Sequence, residues 1–277
     1  MAYILTTKFM GETSLPIIKE TTGIKFYING EDTAPSSGIA IRWGCRGELP
    51  NDVSVINTAK AIKGAYNKGA TRKKLAAVGL AMETYTDFME WLRKATDGDF
   101  ILRPSHHTRS LNMSVVSTSR ARKALEITDT LTDGYYLSKL IKKKHEYRVF
   151  VANNRILWVI EKHPGNEDSI SWGCVEQGQF QYIGWSEWPI GLLKHALASM
   201  KQTSLDFGAW DIISDEQGNY YSLEVNTAPY LGPYYAKTTG KAFKWMISQK
   251  EQGEEITLPD LSDDATWKKF MHPCLNA

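Results

Sequence analysis

The segment AWDIISDEQGNYYSLEVNTAPY, residues 209–230, constrains the fold more than any other part of the chain. Two apolar stretches flank the polar, glycine-containing run Asp215-Glu216-Gln217-Gly218-Asn219, so the segment reads as an antiparallel hairpin. Side chains alternate along a strand. With the turn over residues 216–219, Asp211 stands opposite Glu224, and Trp210, Ile212, Tyr221, Leu223 and Val225 share the other face. The face of Asp211, Ser222, Glu224 and Asn226 then carries oxygen donors that burial would penalise unless a positive charge sits among them. Two carboxylates and an amide oxygen suit Mg2+, which keeps water and phosphate oxygens as its remaining ligands. The competing reading is a solvated outer face on an edge hairpin.

Size and charge narrow the classes. The 277 residues, 42% of them hydrophobic, can fill one large domain or two to three small lobes. A net charge of +2 compels neither a nucleic-acid nor a membrane partner. Cys45, Cys174 and Cys274 form no CxxC pair and read as buried thiols in a reducing cytosol. No apolar run reaches about 18 residues, and the start MAYILTTKFMGE lacks the pattern of an export signal, so a cytoplasmic protein is expected.

Residues 1 to about 60 read as short strands and turns, with GIKFYING and GIAIRWGCRG the clearest. Residues 54–78 have helical spacing, and TYTDFMEWLRKA predicts a helix capped through Thr84 and Asp87. DFILRP and MSVVS predict a hairpin across the polar loop PSHHTRSLN, followed by a basic helix in SRARKALEI. YYLSKLI reads as a buried strand opening a second sheet, which continues through YRVFVANNRILWVIE, with an Asn153-Asn154 turn suited to φ > 0, then SISWGCV and QFQYIGW. PIGLLKHALASMKQTS predicts a helix with an apolar stripe. The residues after Gln249 read as a surface tail.

The usual nucleotide motifs are missing. GAYNKGAT and TTGKAF both lack the full order of a P-loop, and no GxGxxG occurs. GAWDII followed by YYSLEVNTAP nevertheless resembles the metal-binding strands of the ATP-grasp superfamily, particularly RimK-type carboxylate-amine ligases. There an aspartate and a Glu-x-Asn pair hold magnesium, which maps onto Asp211, Glu224 and Asn226. Over roughly residues 60–232 the resemblance continues. YYLSKLIKKKHEYRVFV is similar to the adenine hinge and the following Asp-x-Arg strand, placing Ser138, Lys139 and Leu140 at the hinge, Glu146 towards the ribose and Arg148 towards a phosphate. An arginine fork suits a phosphate.

Two departures stand out. Arg103 in DFILRP replaces a phosphate-contacting lysine, and the glycine-rich loop of the family is replaced by a segment offering His106, His107, Thr108 and Arg109, as phosphate contacts or as plain surface. No Arg-Ser-Asn triplet follows the hinge; Lys162 and Trp172 occupy that neighbourhood. Lys68 resembles the lysine that opens the nucleotide lobe, or is a solvated helix residue, and Arg42 and Arg46 either hold a substrate carboxylate or lie on the surface.

The resemblance implies an α+β, ATP-grasp fold with nucleotide between two lobes: an N-terminal lobe over 1–62, a small lobe over 63–134, a large lobe with the metal site over 135–250 and a tail over 251–277. It implies an ADP-forming ligase of the small bacterial or phage kind, using ATP and Mg2+ or Mn2+, with Arg148 and Arg103 as catalytic cations. Its substrates would be an amino-acid or peptide carboxylate and an amine. An ATP-grasp kinase, or a non-catalytic nucleic-acid binder using Arg120, Arg122 and Lys142 to Lys144, are the alternatives. A homo-oligomer is left open.

Overall fold

Strands that are apolar on both faces pair in parallel when each side is covered. At the N-terminus one side of the sheet packs on a helix through Leu15 and Ile18, and the other on connecting segments through Ala34, Cys45 and Leu49. In the computed structural model of the chain, which describes residues 1–106, 113–119, 134–166, 169–172 and 178–253, β1 (Ala2–Thr6), β2 (Lys25–Ile28), β3 (Gly38–Trp43) and β4 (Val53–Ile56) form a parallel sheet of order β2-β1-β3-β4. Helix α1 (Ser14–Thr22) connects the first two strands. The sequence pattern does not announce it: the helix contains Pro16, its N-cap Thr13 makes no side-chain hydrogen bond, and only the left-handed Gly23 marks its end.

Two short helices follow, each with a side-chain cap. Thr58 accepts from the Ala61 N–H to start α2 (Ala59–Tyr66), and Asn67 accepts from the Ala70 N–H to start α3 (Lys68–Ala76). The small antiparallel sheet has order β5-β8-β6-β7, from β5 (Thr84–Tyr85), β6 (Asp99–Pro104), β7 (Ser114–Ser117) and β8 (Tyr135–Lys139). Helix α4 (Phe88–Lys94) packs Trp91 against Phe100 and Leu137. Its cap is Asp87, whose carboxylate accepts from Glu90 N; Thr84, expected to share the capping, is instead a buried strand residue paired with Ser138. A second correction concerns the strand YYLSK. It does not open the large sheet; Leu137 pairs with Leu102 and completes the small core, and the chain crosses over only after Leu140. The basic helix SRARKALEI lies almost wholly outside the described residues, as does most of the tail.

The large sheet is antiparallel with order β11-β10-β9-β12-β13, formed by β9 (His145–Ala152), β10 (Arg155–His163), β11 (Gln179–Ile183), β12 (Phe207–Ser214) and β13 (Tyr220–Asn226). Asn153 and Asn154 both adopt positive φ in the β9–β10 turn. Of SISWGCV, the described part, residues 169–172, is not a strand.

Both faces of this sheet are covered. Val149, Val151, Val159, Trp210 and Ile212 meet Leu193, Ala196 and Leu197 of α5 (Ile190–Lys201), together with Ala61, Ile62 and Leu75 from α2 and α3. On the opposite face Phe150, Trp158, Phe207 and Ala209 meet Phe243 and Met246 of α6 (Pro233–Gln252) and the N-terminal Leu15, Ile18 and Trp43. Helices α1 and α6 approach closely because Gly240 has no side chain: a Cβ there would stand 2.8 Å from Thr22 Cγ2. Among the described residues no helix is long and apolar enough to cross a membrane.

Candidate functional site

The face of the large sheet that is apolar beneath α6 turns ionic at its other end. On β9 the residues Phe150 and Ala152 give way, at the same phase, to Arg148 and Glu146. On β10 Trp158 and Ile160 give way to Lys162, and on β12 Phe207 and Ala209 give way to Asp211. Register makes them neighbours: Lys162 pairs with Glu146, and Asp211 with Arg148. Arg148 forks onto Asp211, Nε to Oδ1 at 2.7 Å and Nη2 to Oδ2 at 2.9 Å. Lys162 bridges Glu146 at 2.8 Å and Asp211 at 2.9 Å, and Lys143 holds the second oxygen of Glu146 at 2.6 Å while lying over the Trp172 ring.

Burial opposes the charges of Glu146, Arg148, Lys162 and Asp211, and their partners overrule it. Burial alone would raise the Asp211 carboxyl, but Arg148 and Lys162 hold it well below the usual range. Glu146 is held low in the same way by Lys162 and Lys143. Burial would lower Arg148 and Lys162; the carboxylates, Asp211 foremost, raise both.

A second group comes from α3 and β13. Lys68 and Arg72 are one helical turn apart, so both reach β13. Lys68 pairs with Glu224 at 2.6 Å. Arg72, buried to 1% exposure, donates from Nε and Nη2 to the Leu223 carbonyl at 3.0 and 2.6 Å and from Nη1 to Ser138 Oγ at 2.9 Å. That carbonyl belongs to an irregularity in the hairpin: Asp211 pairs with Glu224, but Ile212 pairs with Ser222, leaving Leu223 as an extra residue. The bulge corrects the simple alternation. Ser222 does not share the face of Asp211; it lies on the α5 side, where its hydroxyl meets Ser199 Oγ at 2.7 Å and His195 Nε2 at 3.1 Å. Tyr221 leaves the core and donates to Asp215 at 3.2 Å, and Leu223 does not join the apolar cluster of Trp210, Ile212 and Val225.

Asp211 and Glu224 therefore stand side by side, and Asn226 follows two residues on with its buried amide nitrogen lacking a hydrogen-bond partner. Among the described residues no group of three His, Cys, Asp or Glu could hold a metal ion. Two carboxylates and an amide are an incomplete oxygen set, one that fits a hard divalent cation when phosphate oxygens and water complete it.

Arg103 completes the cationic wall. It is buried on β6 opposite Tyr136, its Nε has no hydrogen-bond partner, and its charge helps Lys68 keep Glu224 low against burial. Six cations, Lys68, Arg72, Arg103, Lys143, Arg148 and Lys162, thus enclose three carboxylates, Glu146, Asp211 and Glu224.

The expected hinge is differently engaged. Ser138 lies inside β8 with its hydroxyl taken by Arg72. The Lys139 and Leu140 N–H groups donate to Glu83 and Asp99 carbonyls at 2.9 and 2.8 Å, and Lys139 Nζ meets Thr96 Oγ1 at 2.6 Å. Their donors are spent on the small sheet. Glu146, expected towards a ribose, has both oxygens held by lysines. Arg42 is buried, donating to Gly47 O at 2.6 Å, and Arg46 lies over Tyr66, which stacks on His106 at 5.1 Å. His107, Thr108 and Arg109 lie outside the described residues. Sequence reasoning passed over Arg72 and used Lys143 only for a nucleic-acid alternative. Lys162 did leave a signal: a lysine at the buried phase of the strand ILWVIEKH.

No family model matches the chain. A D-alanine–D-alanine ligase of Saccharophagus degradans is 26% identical over 202 residues, 66% of this chain and 63% of that protein. One of Pseudoalteromonas translucida is 26% identical over 163 residues, 53% of this chain and 51% of that protein. The chain spans less than two thirds of the length of these relatives. Among solved structures, the ATP-grasp ligase PsnB complexed with minimal precursor superposes with a TM-score of 0.60 at 14% identity, over 90% of this chain and 99% of that one. D-cycloserine synthetase DcsG gives 0.60 at 15%, over 89% and 100%. The D-alanine–D-alanine ligase of Bacillus anthracis gives 0.60 at 14%, over 92% and 100%. Likeness across nearly the whole of each structure, with two sheets that bring their charged residues together, identifies the architecture: the chain has the ATP-grasp fold.

Proposed function

We propose that the protein is an ATP-dependent, ADP-forming carboxylate-amine ligase, RimK-like in its Asp and Glu-x-Asn set, with an amino acid or peptide as substrate. The observation that carries this reading is the surplus of cations over carboxylates, six to three, on either side of the junction between the small and large sheets, with Arg72, Arg103 and Lys162 buried and Lys68, Lys143 and Arg148 no more than 20% exposed. A largely desolvated surplus of positive charge calls for a polyanion, and a nucleotide triphosphate supplies one.

In this reading the nucleotide lies between the small and large lobes. Lys68 and Arg103 reach the phosphates from the small-lobe side and Arg148 from the large sheet, while Lys162 holds Glu146 and Asp211 beneath them. Asp211, Glu224 and Asn226 would hold Mg2+, which when bound neutralises phosphate charge. Lys139 and Leu140 would supply adenine with surface rather than N–H donors, and Ser138 lies behind them in the interior. A substrate carboxylate oxygen attacks the γ-phosphorus as the bond to the β-phosphate oxygen breaks, releasing ADP. The amine then attacks the acyl carbon, the carbon–oxygen bond to phosphate breaks, and the amine gives up a proton. Arg148 and Arg103 stabilise the negative charge that spreads over the transferred group.

The test is ADP release with pooled amino acids and short peptides as carboxylates, read beside hydroxylamine trapping in the absence of amine. Acyl hydroxamate is expected. A stable phosphorylated alcohol without hydroxamate would replace the ligase by a kinase at the same nucleotide site.

A further inference from the structure

The carboxylates that would receive a metal are already neutralised by the chain itself. Asp211 spends three lone-pair positions on Arg148 and Lys162, out of about four that a carboxylate offers. Glu224 is paired with Lys68. A divalent cation brought to either carboxylate would stand against fixed positive charges in a buried setting, where their repulsion is poorly screened. Exposure sorts these cations into two kinds. The Lys162 side chain is 4% exposed and is tied to Glu146 as well, whereas those of Lys68 and Arg148 are 15% and 20% exposed.

We propose that Lys68 and Arg148 are exchangeable internal counter-ions, which hold Glu224 and Asp211 until the phosphates of a nucleotide draw them off and so make divalent-cation binding conditional on nucleotide. The inference rests on the nucleotide-site reading above. Both side chains suit the exchange: a guanidinium fork matches phosphate as well as carboxylate, and a lysine on the first turn of α3 has a long stem on which to swing. Lys162 stays, bridging Glu146 and Asp211, and keeps Asp211 in place while its fork partner leaves.

The experiment measures free Mn2+ by electron paramagnetic resonance, with the full chain, with and without the non-hydrolysable analogue AMPPNP. The parent protein should bind Mn2+ weakly alone and tightly with AMPPNP. Lys68→Met and Arg148→Met each remove one counter-ion, and either should tighten nucleotide-free Mn2+ binding by about tenfold or more. Lys142→Met, which breaks only the outer pair with Glu216 (85% and 55% exposed), should leave it unchanged. Equal Mn2+ binding by the parent with and without AMPPNP, or parent-like binding by both variants, would overturn the proposal. A separate titration with a fluorescent ATP analogue keeps the two readings apart. Nucleotide binding with unaltered metal binding in the variants removes only the exchange, whereas no nucleotide binding removes the site reading beneath it.

Discussion

Asp211→Asn tests whether the ionic end of the large sheet is held together by charge. The substitution preserves shape and removes the one carboxylate shared by Arg148 and Lys162, itself only 5% exposed. Asparagine offers one acceptor oxygen where the carboxylate accepts three donors, and its amide group must turn towards the Arg148 fork or the Lys162 ammonium. The buried Lys162 and the largely buried Arg148 are then left under-compensated, a loss worth about 3–5 kcal/mol for a broken buried pair. At about 2–4 °C per kcal/mol for a chain of this size, the melting temperature should fall by roughly 6–20 °C. Denaturant unfolding gives the free energy, and the double variant Asp211→Asn/Lys162→Met gives the coupling, because removing the stranded ammonium should recover about 0.5–3 kcal/mol. A loss below about 1 kcal/mol, the scale of exposed ion pairs, would refute the argument that these charges are desolvated and mutually dependent.

Arg148→Ala should reduce ADP release by about 30- to 1,000-fold, equivalent to about 2–4 kcal/mol of lost stabilisation, and Arg148→Lys should recover only part because it keeps charge without the fork; equal rates in all three proteins would remove Arg148 from the mechanism. Arg72→Met should cost about 2–4 kcal/mol in unfolding experiments, since it strands the Leu223 carbonyl and Ser138 hydroxyl in the interior. Burial pushes His195 down to about 4, so the unfolded chain takes up its proton first as pH falls below about 6.5 and stability should decline by about 2 kcal/mol down to about pH 5. His195→Gln, which keeps a partner for Ser222, should flatten that part of a melting-temperature profile; an unchanged slope would show that His195 does not carry it.

What the sequence determined by itself was local. The run DEQGN closes a hairpin, Asn153-Asn154 turns with positive φ, and alternation sets Asp211 opposite Glu224, because these features depend on neighbouring residues and a period of two. The ATP-grasp architecture was legible from the same hairpin through resemblance. Tertiary structure decided the rest. The irregularity at Leu223, braced by Arg72 from a helix some 150 residues earlier, turned Ser222 to the opposite face, and no strand periodicity encodes a hydrogen bond of that separation. YYLSK could have joined either sheet; it joined the small one because Leu137 fills the space beside Phe100 and Trp91. That choice used up the N–H groups of Lys139 and Leu140. The meeting of Lys162, Glu146, Arg148 and Asp211 is likewise a product of strand order, since only the pairing of β10, β9 and β12 places charges from three separate segments in contact, where each one's burial is tolerable because the others are there.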